Sequence, residues 1–371
     1  MAEILLKDAV KTFNNGKLTA VNHFSLECHD HEFIAILGPS GAGKTTTLNL
    51  IAGIERLENG QICIGGKDVT DLPPQSRNVS MVFEGYALYP HLTVRENLAF
   101  PLKAPVRAEK LTKEQVNNKV EEWAKTIGML DLLDRKPSQL SGGQRQRVSL
   151  ARALVRSPAP NVILMDEPIA HLDAKLRNSM RAELKRLQKD LGATIIYVTH
   201  DYTEAMAMAD RIYVINNGCL QQEGVPREIY NNPVDEFVAS TVGEPPMNFI
   251  PGRLEHSADG SIFCFREEKL KLPRIESETV QVDLGIRPSE ITVTHEKLAE
   301  SCLKGEIQEI LPTGAKQIME INIQGKMILV KVDRDLSYAK GNFVFLTPAI
   351  EKTCLFDSDS KKRLNWIDGG K

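Results

Sequence analysis

The sequence contains no Cys-x-x-Cys pair. Its six cysteines, Cys28, Cys63, Cys219, Cys264, Cys302 and Cys354, are scattered along the chain. That pattern argues against a zinc site and against a disulfide framework. It fits buried, reduced thiols in a cytosolic protein. No apolar run is long enough to cross a bilayer. The first residues, Met-Ala-Glu-Ile-Leu-Leu-Lys-Asp, lack a basic stretch followed by an apolar one, so no signal peptide is expected. Any work at a membrane would then require a docking partner. Neither sign of charge dominates: 46 Lys and Arg stand against 49 Asp and Glu, a net charge of −3. The absence of a broad basic field disfavours wholesale nucleic-acid binding and leaves room only for local basic patches. Internal repeats and low-complexity tracts are also missing.

What remains is a chain of 371 residues, enough for two domains. Its 42% hydrophobic and 26% charged content is that of a soluble globular protein. Three compact apolar runs, Phe33–Leu37, Val162–Met165 and Thr194–Val198, each end in a polar or glycine-rich turn. Continuous apolar strands between helical patterns predict a largely parallel, helix-covered sheet. After Asp173, Leu176, Met180, Leu184, Leu187 and Leu191 recur at helical spacing and form one packing stripe, closed by Gly192. The charged stretch from about 102 to 155 reads as a helical subdomain. Near 231–246 the texture breaks at Asn-Asn-Pro and Gly-Glu-Pro-Pro. Short β-like pieces follow, among them Gln281–Ile286, Lys316–Ile323 and Met327–Val332. The expected division is a first domain over 1–235 and a small β domain, of barrel type, over 240–371.

The chemistry sits in the first part. Gly38-Pro39-Ser40-Gly41-Ala42-Gly43-Lys44-Thr45 matches a phosphate-binding loop at every fixed position, between a strand and a helical segment, and Thr46 is expected to join it in binding the nucleotide. Its backbone N–H groups and the helix N-terminus make a positive concavity. Lys44 is placed to reach the β- and γ-phosphates and the Thr45 hydroxyl to ligate Mg²⁺. The strand ending in Asp166-Glu167 delivers two carboxylates where ligands bind in such sheets. Asp166 is the expected metal ligand and Glu167 the expected general base. Leu140-Ser141-Gly142-Gly143-Gln144 offers N–H and O–H donors at a helix start, a second anion site.

In order, these segments resemble the ABC ATPases, with Ser141–Gln144 as their signature motif. The resemblance implies an α/β P-loop cassette with a helical subdomain, followed by a small all-β regulatory domain of OB-like (TOBE) type. It implies that the signature of one subunit binds the γ-phosphate held by another. It makes His200 the switch histidine, Asp173 the D-loop aspartate that crosses the dimer interface, and Phe13 the aromatic that stacks on adenine. Core packing competes with that role for Phe13.

Two segments depart from the family pattern. Met81–Pro90 resembles the Q-loop, but Glu84 stands where the family has glutamine. A carboxylate there can still bind the metal and take part in catalysis, and it adds negative charge beside the γ-phosphate. The apolar residues 86–89 suit either a partner's short helix or local packing. The D-loop reads Ala170-His171-Leu172-Asp173 instead of Ser-Asn-Leu-Asp.

In the tail, Pro246–Phe249 and Gly285–Pro288 resemble the regulatory domain of maltose- and glycerol-phosphate-importer ATPase subunits. The implied activity is ATP hydrolysis, with Mg²⁺, powering uptake of a sugar, polyol or related solute. The implied partners are two transmembrane permease subunits, a second ATPase subunit in a homodimer or heterodimer, and indirectly an extracytoplasmic solute-binding protein. The implied place is the cytoplasmic face of the cell membrane. The alternatives are an importer ATPase for another solute class and a non-transport ABC ATPase. The latter usually carries coiled-coil insertions or paired cassettes, which this chain lacks.

Overall fold

The structure, a computed structural model, describes residues 3–83, 85, 87–103, 111–155, 162–170, 172–257, 260–275, 279–297, 299, 301–334 and 338–366. The chain divides into two compact units, Met1–Pro226 and Arg227–Lys371. The break expected from sequence at 235–240 falls inside the second unit, at the short helix Glu236–Thr241.

The first unit is built on a six-stranded sheet. Its order is Cys219–Gly224, Arg211–Asn216, Phe33–Leu37, Thr194–Thr199, Val162–Asp166 and Val79–Val82. The last five strands are parallel and only the edge strand Cys219–Gly224 is antiparallel. Every residue of Phe33–Leu37, Val162–Asp166 and Thr194–Thr199 is buried, as continuous apolar runs require when both faces of a sheet are covered. The register sets Leu37 beside Thr199 and Asp166 beside Val198. Three chain segments therefore leave the sheet at the same end, at neighbouring positions.

A second, antiparallel sheet was not anticipated. It has the order Leu18–Cys28, Ile4–Phe13, Asn59–Ile64 and Lys67–Asp68. Its hairpin turns at Asn14, Asn15 and Gly16, with φ of 54°, 56° and 83°. Asparagine and glycine tolerate that left-handed backbone best. Ile4, Leu6, Phe24 and Leu26 of this sheet share one core with Ile34, Ile36, Leu48 and Ile51. The helix Lys44–Ala52 is thereby clamped between two sheets.

The helical subdomain has its own core. Val94 and Leu98 of the helix Val94–Ala99, Val116 and Val120 of the helix Lys113–Thr126, and Val148 and Ala151 of the helix Gly142–Leu154 pack together. Thr93 and Thr112 cap the first two helices through reciprocal bonds with Glu96 and Gln115. The helix Ala174–Leu191 buries Met180 and Leu184, two of the five residues of the predicted stripe, and ends at Gly192 with φ 56°. The side chains of Leu187 and Leu191 lie outside the described residues.

The second unit is mostly β, as expected. A six-stranded antiparallel sheet centres on Asn248–Ser257 and Gln281–Ile286, and a five-stranded one on Leu303–Thr313 and Phe343–Pro348. Ile250, Phe263 and Leu284 of the first sheet pack with Ile307, Met319, Val330 and Leu346 of the second in one core. Among the described residues no helix is long and apolar enough to cross a membrane.

Candidate functional site

The loop after Phe33–Leu37 turns tightly into the helix Lys44–Ala52. Gly41 and Gly43 adopt φ of 81° and 100°. A Cβ on Gly43 would stand 2.2 Å from the carbonyl oxygen of Ala20, so the loop can lie against the hairpin sheet only with glycine there. Lys44 is 5% exposed. Its Nζ folds back over the loop and donates to the carbonyls of Gly38 and Pro39, both at 3.0 Å. Burial lowers its pKa below the ordinary 10.5, opposed by the charges of Glu167 and Asp166.

The neighbouring strand ends supply the acids. Thr45 Oγ1 donates to Asp166 Oδ1 at 3.0 Å. Glu167 takes φ 42°, a left-handed conformation rare for glutamate, while its N–H donates to the Val198 carbonyl at 3.0 Å. That bend turns its carboxylate toward Lys44 and His200. Oε1 lies 3.7 Å from Lys44 Nζ, and Oε2 lies 2.7 Å from His200 Nδ1. Lys44, Thr45, Asp166, Glu167 and His200 thus form one connected cluster at the carboxyl end of the sheet, the position at which such sheets hold ligands.

Ser141, Gly142, Gly143 and Gln144 make a separate group. Ser141 caps the helix Gly142–Leu154: its Oγ accepts from Gln144 N–H at 3.3 Å, and Gln144 Oε1 accepts from Ser141 N–H at 2.9 Å. A Cβ on Gly143 would meet Leu176 Cδ2 at 2.3 Å, so glycine lets this helix approach the one that follows Asp173. Asp173 itself caps that helix, accepting from Leu176 N–H at 2.9 Å. Phe13 is half-buried at the end of its strand, with Lys11 Nζ 5.0 Å from the ring centre.

Glu84, Tyr86 and His171 lie outside the described residues. Near them, Leu88 packs against the helical core and Tyr89 lies 4.5 Å from the Phe100 ring. Arg152 sits over Tyr89 and donates to the Ala87 carbonyl at 2.6 Å. Local packing takes up Leu88 and Tyr89, whereas Phe83 and Phe100 stay exposed.

The ABC transporter family profile matches residues 21–170. Over 98% of its length the chain is 44% identical to the whole of a trehalose/maltose import ATP-binding protein of Thermococcus litoralis. The chain belongs to the ABC transporter family. This ABC chain is also 40% identical to an uncharacterised ABC transporter ATP-binding protein of Escherichia coli, over 97% of this chain and 99% of that one. Its fold matches a dimeric ATP-binding cassette in a post-hydrolysis state bound to ADP and phosphate. That match has TM-score 0.55 and 33% identity, and covers 60% of this chain and 99% of that one. The ABC chain is therefore an ATP-binding, ATP-hydrolysing subunit.

One supporting residue of this ABC chain escaped the sequence. Glu204, 2% exposed, accepts from Tyr197 Oη and from Thr199 Oγ1, each at 2.7 Å. It lies within 4.0 Å of Arg177 and Arg181. It pins the strand end that immediately precedes His200. Burial and the Glu204 charge push the Tyr197 phenol well above its ordinary value, so it stays a hydrogen-bond donor. In sequence Glu204 is one acid on a short helix, with nothing to mark its partners.

Proposed function

We propose that this chain powers the uptake of a sugar, polyol or related solute through two membrane permease subunits, working at the cytoplasmic face of the membrane. The observation that supports it most is the connected cluster Lys44–Glu167–His200 with Thr45–Asp166 beside it. The solute class rests on the likeness to the Thermococcus litoralis importer subunit. A solute-binding protein outside the cell would deliver the cargo to the permeases.

In this reading the N–H groups of the loop 38–45 and the following Thr46 cradle the phosphates. Lys44 exchanges the Gly38 and Pro39 carbonyls for phosphate oxygens. The hydroxyl of Thr45 and the carboxylate of Asp166, already in contact, are hard oxygen donors and fit Mg²⁺. When bound there the ion offsets phosphate charge, and Glu84 would add a third oxygen donor. Glu167 accepts the proton of the attacking water, and His200, in contact with it, orients that carboxylate and the γ-phosphate. Phe13 stacks on the adenine. One chain carries one phosphate loop and one signature, so Ser141–Gln144 of a second ATPase subunit complete each site, with Asp173 across the interface.

The test has two arms. Lys44→Ala should abolish ATP hydrolysis by removing phosphate charge neutralisation. Glu167→Gln should lower turnover by roughly 10²–10⁴-fold while retaining ATP binding and accumulating an ATP-bound dimer. Full hydrolysis by the Glu167→Gln protein would overturn the base assignment. In the second arm, co-purification with two polytopic membrane proteins and loss of labelled maltose or trehalose uptake in Lys44→Ala cells are expected. Normal uptake in those cells would overturn the transport reading.

A further inference from the structure

The second unit holds a cavity of about 420 Å³, inside the range of roughly 300–1,000 Å³ usual for small-ligand sites. It lies among the residues after Pro226, the turns Pro288–Glu290 and Ile350–Lys352, and the strands Cys354–Asp357 and Arg363–Leu364. Every nucleotide motif precedes it in the chain.

Its lining carries a net positive charge. Arg227, Arg287, Lys352 and Arg363 line it against two carboxylates, Glu290 and Glu351. Lys352 Nζ donates to Glu290 Oε2 at 2.8 Å, so that pair offsets itself. Arg287 is a built-in part of the wall, 4% exposed. Its guanidinium lies 3.6 Å from the Tyr230 ring centre and donates to the carbonyls of Val242 and Tyr230. Arg363 donates to Asn231 O and Asn232 Oδ1 at 3.3 and 3.0 Å. Its buried Nε finds no acceptor among the described residues. Arg227 is exposed at the rim. Burial pushes the Cys354 thiol up, so it stays neutral and sets no negative charge against an anion.

The remaining wall is aromatic and amide-rich, with the Trp366 indole, Tyr230, Asn231 and Asn232. Arginines that present forked donors favour a phosphate, while an indole face and side-chain amides suit a hydroxylated ring. We propose that this cavity binds a small sugar phosphate, its phosphate at Arg363 and Arg227 beside the fixed Arg287, its ring against Trp366. The inference stands on the second unit alone and is independent of the transport reading.

The chain has two tryptophans, Trp123 and Trp366, so Trp123→Phe in the full-length protein makes Trp366 the sole emitter. Glucose 6-phosphate, added without nucleotide, should change that emission saturably, with half-saturation at or below about 1 mM. Glucose and inorganic phosphate should each bind at least about tenfold more weakly, since each satisfies half of the site. Arg363→Gln and Arg227→Gln should each weaken glucose 6-phosphate by about tenfold or more. No saturable change up to about 10 mM, equal binding of phosphate or glucose, or variants that bind like the parent would overturn the proposal. If Arg363→Gln does not give the parent's circular dichroism, the exposed Arg227→Gln decides by itself. ATPase activity is not part of this readout, so failure here leaves the nucleotide site untouched.

Discussion

Lys44 is held out of solvent by the loop it serves, and its ammonium is bonded to that loop's own carbonyls. Burial sets its pKa below 10.5 in the folded chain. Between the two values the unfolded chain binds more protons than the folded one, so Lys44's contribution makes stability rise with pH across that alkaline window. Phosphate charge beside Nζ reverses the shift. ATP binding in that window should therefore take up protons, seen by calorimetry in two buffers of different ionisation heat, and Lys44→Met should remove the uptake. Glu204 is the other residue on which the site depends. Glu204→Ala would strand the buried hydroxyls of Tyr197 and Thr199 and leave Arg177 and Arg181 without that carboxylate. The expected loss is roughly 2–4 kcal/mol in urea unfolding. Turnover should fall as well, because Thr199 sets the position of His200.

The helix Ala174–Leu191 joins the two halves of the first unit's chemistry. Its N-terminus is capped by Asp173, and its Leu176 lies against Gly143. Its ends are defined locally. Asp173 satisfies a free N–H at one end, and Gly192 takes the left-handed backbone at the other. Gly192→Ala should destabilise the first unit by about 1 kcal/mol, read as a lower urea midpoint at unchanged slope. Asn caps a helix as well as Asp does. Asp173→Asn should therefore leave the unfolding free energy within a few tenths of a kcal/mol while weakening ATP-driven dimerisation in sedimentation. An unchanged dimer would reduce Asp173 to a cap. The helix-start signals Thr93–Glu96, Thr112–Gln115 and Ser141–Gln144 repeat one device: a hydroxyl and a side-chain carbonyl that bond each other's backbone N–H.

At the scale of the molecule, each unit has its own core. Residues of the first unit pack in the two-sheet and helical clusters, and those of the second in the cluster shared by its two β-sheets. All five residues of the cluster proposed to bind the nucleotide precede Pro226. A chain ending at Pro226 should fold and bind ATP within about threefold of the parent, by equilibrium titration. A folded truncation that has lost ATP affinity would mean that the second unit contributes to nucleotide binding directly.

The phosphate loop, Asp166–Glu167 and the strand before His200 were legible because each is a short run with its own backbone requirement. The glycines at 41 and 43 permit positive φ, and three apolar runs deliver their polar ends to one edge of a parallel sheet. The end of the long helix at Gly192 is local in the same sense. The hairpin Ile4–Phe13 with Leu18–Cys28 turns at Asn14–Gly16, yet the pairing of its first strand with Asn59–Ile64 joins residues from Ile4↔Ile64 to Val10↔Asn59, far apart in the chain. Loop closure over that span leaves no periodic trace in the sequence. Glu204, too, acquires its role only when strand packing buries it against Tyr197 and Thr199. The Arg287–Arg363 cavity gathers residues from 227 to 366. Local conformation and strand-end chemistry are written in neighbouring residues, so the sequence by itself determined the nucleotide motifs. Strand order, the partner of each buried charge and the second cavity depend on which distant segments meet, and only the tertiary structure decided those.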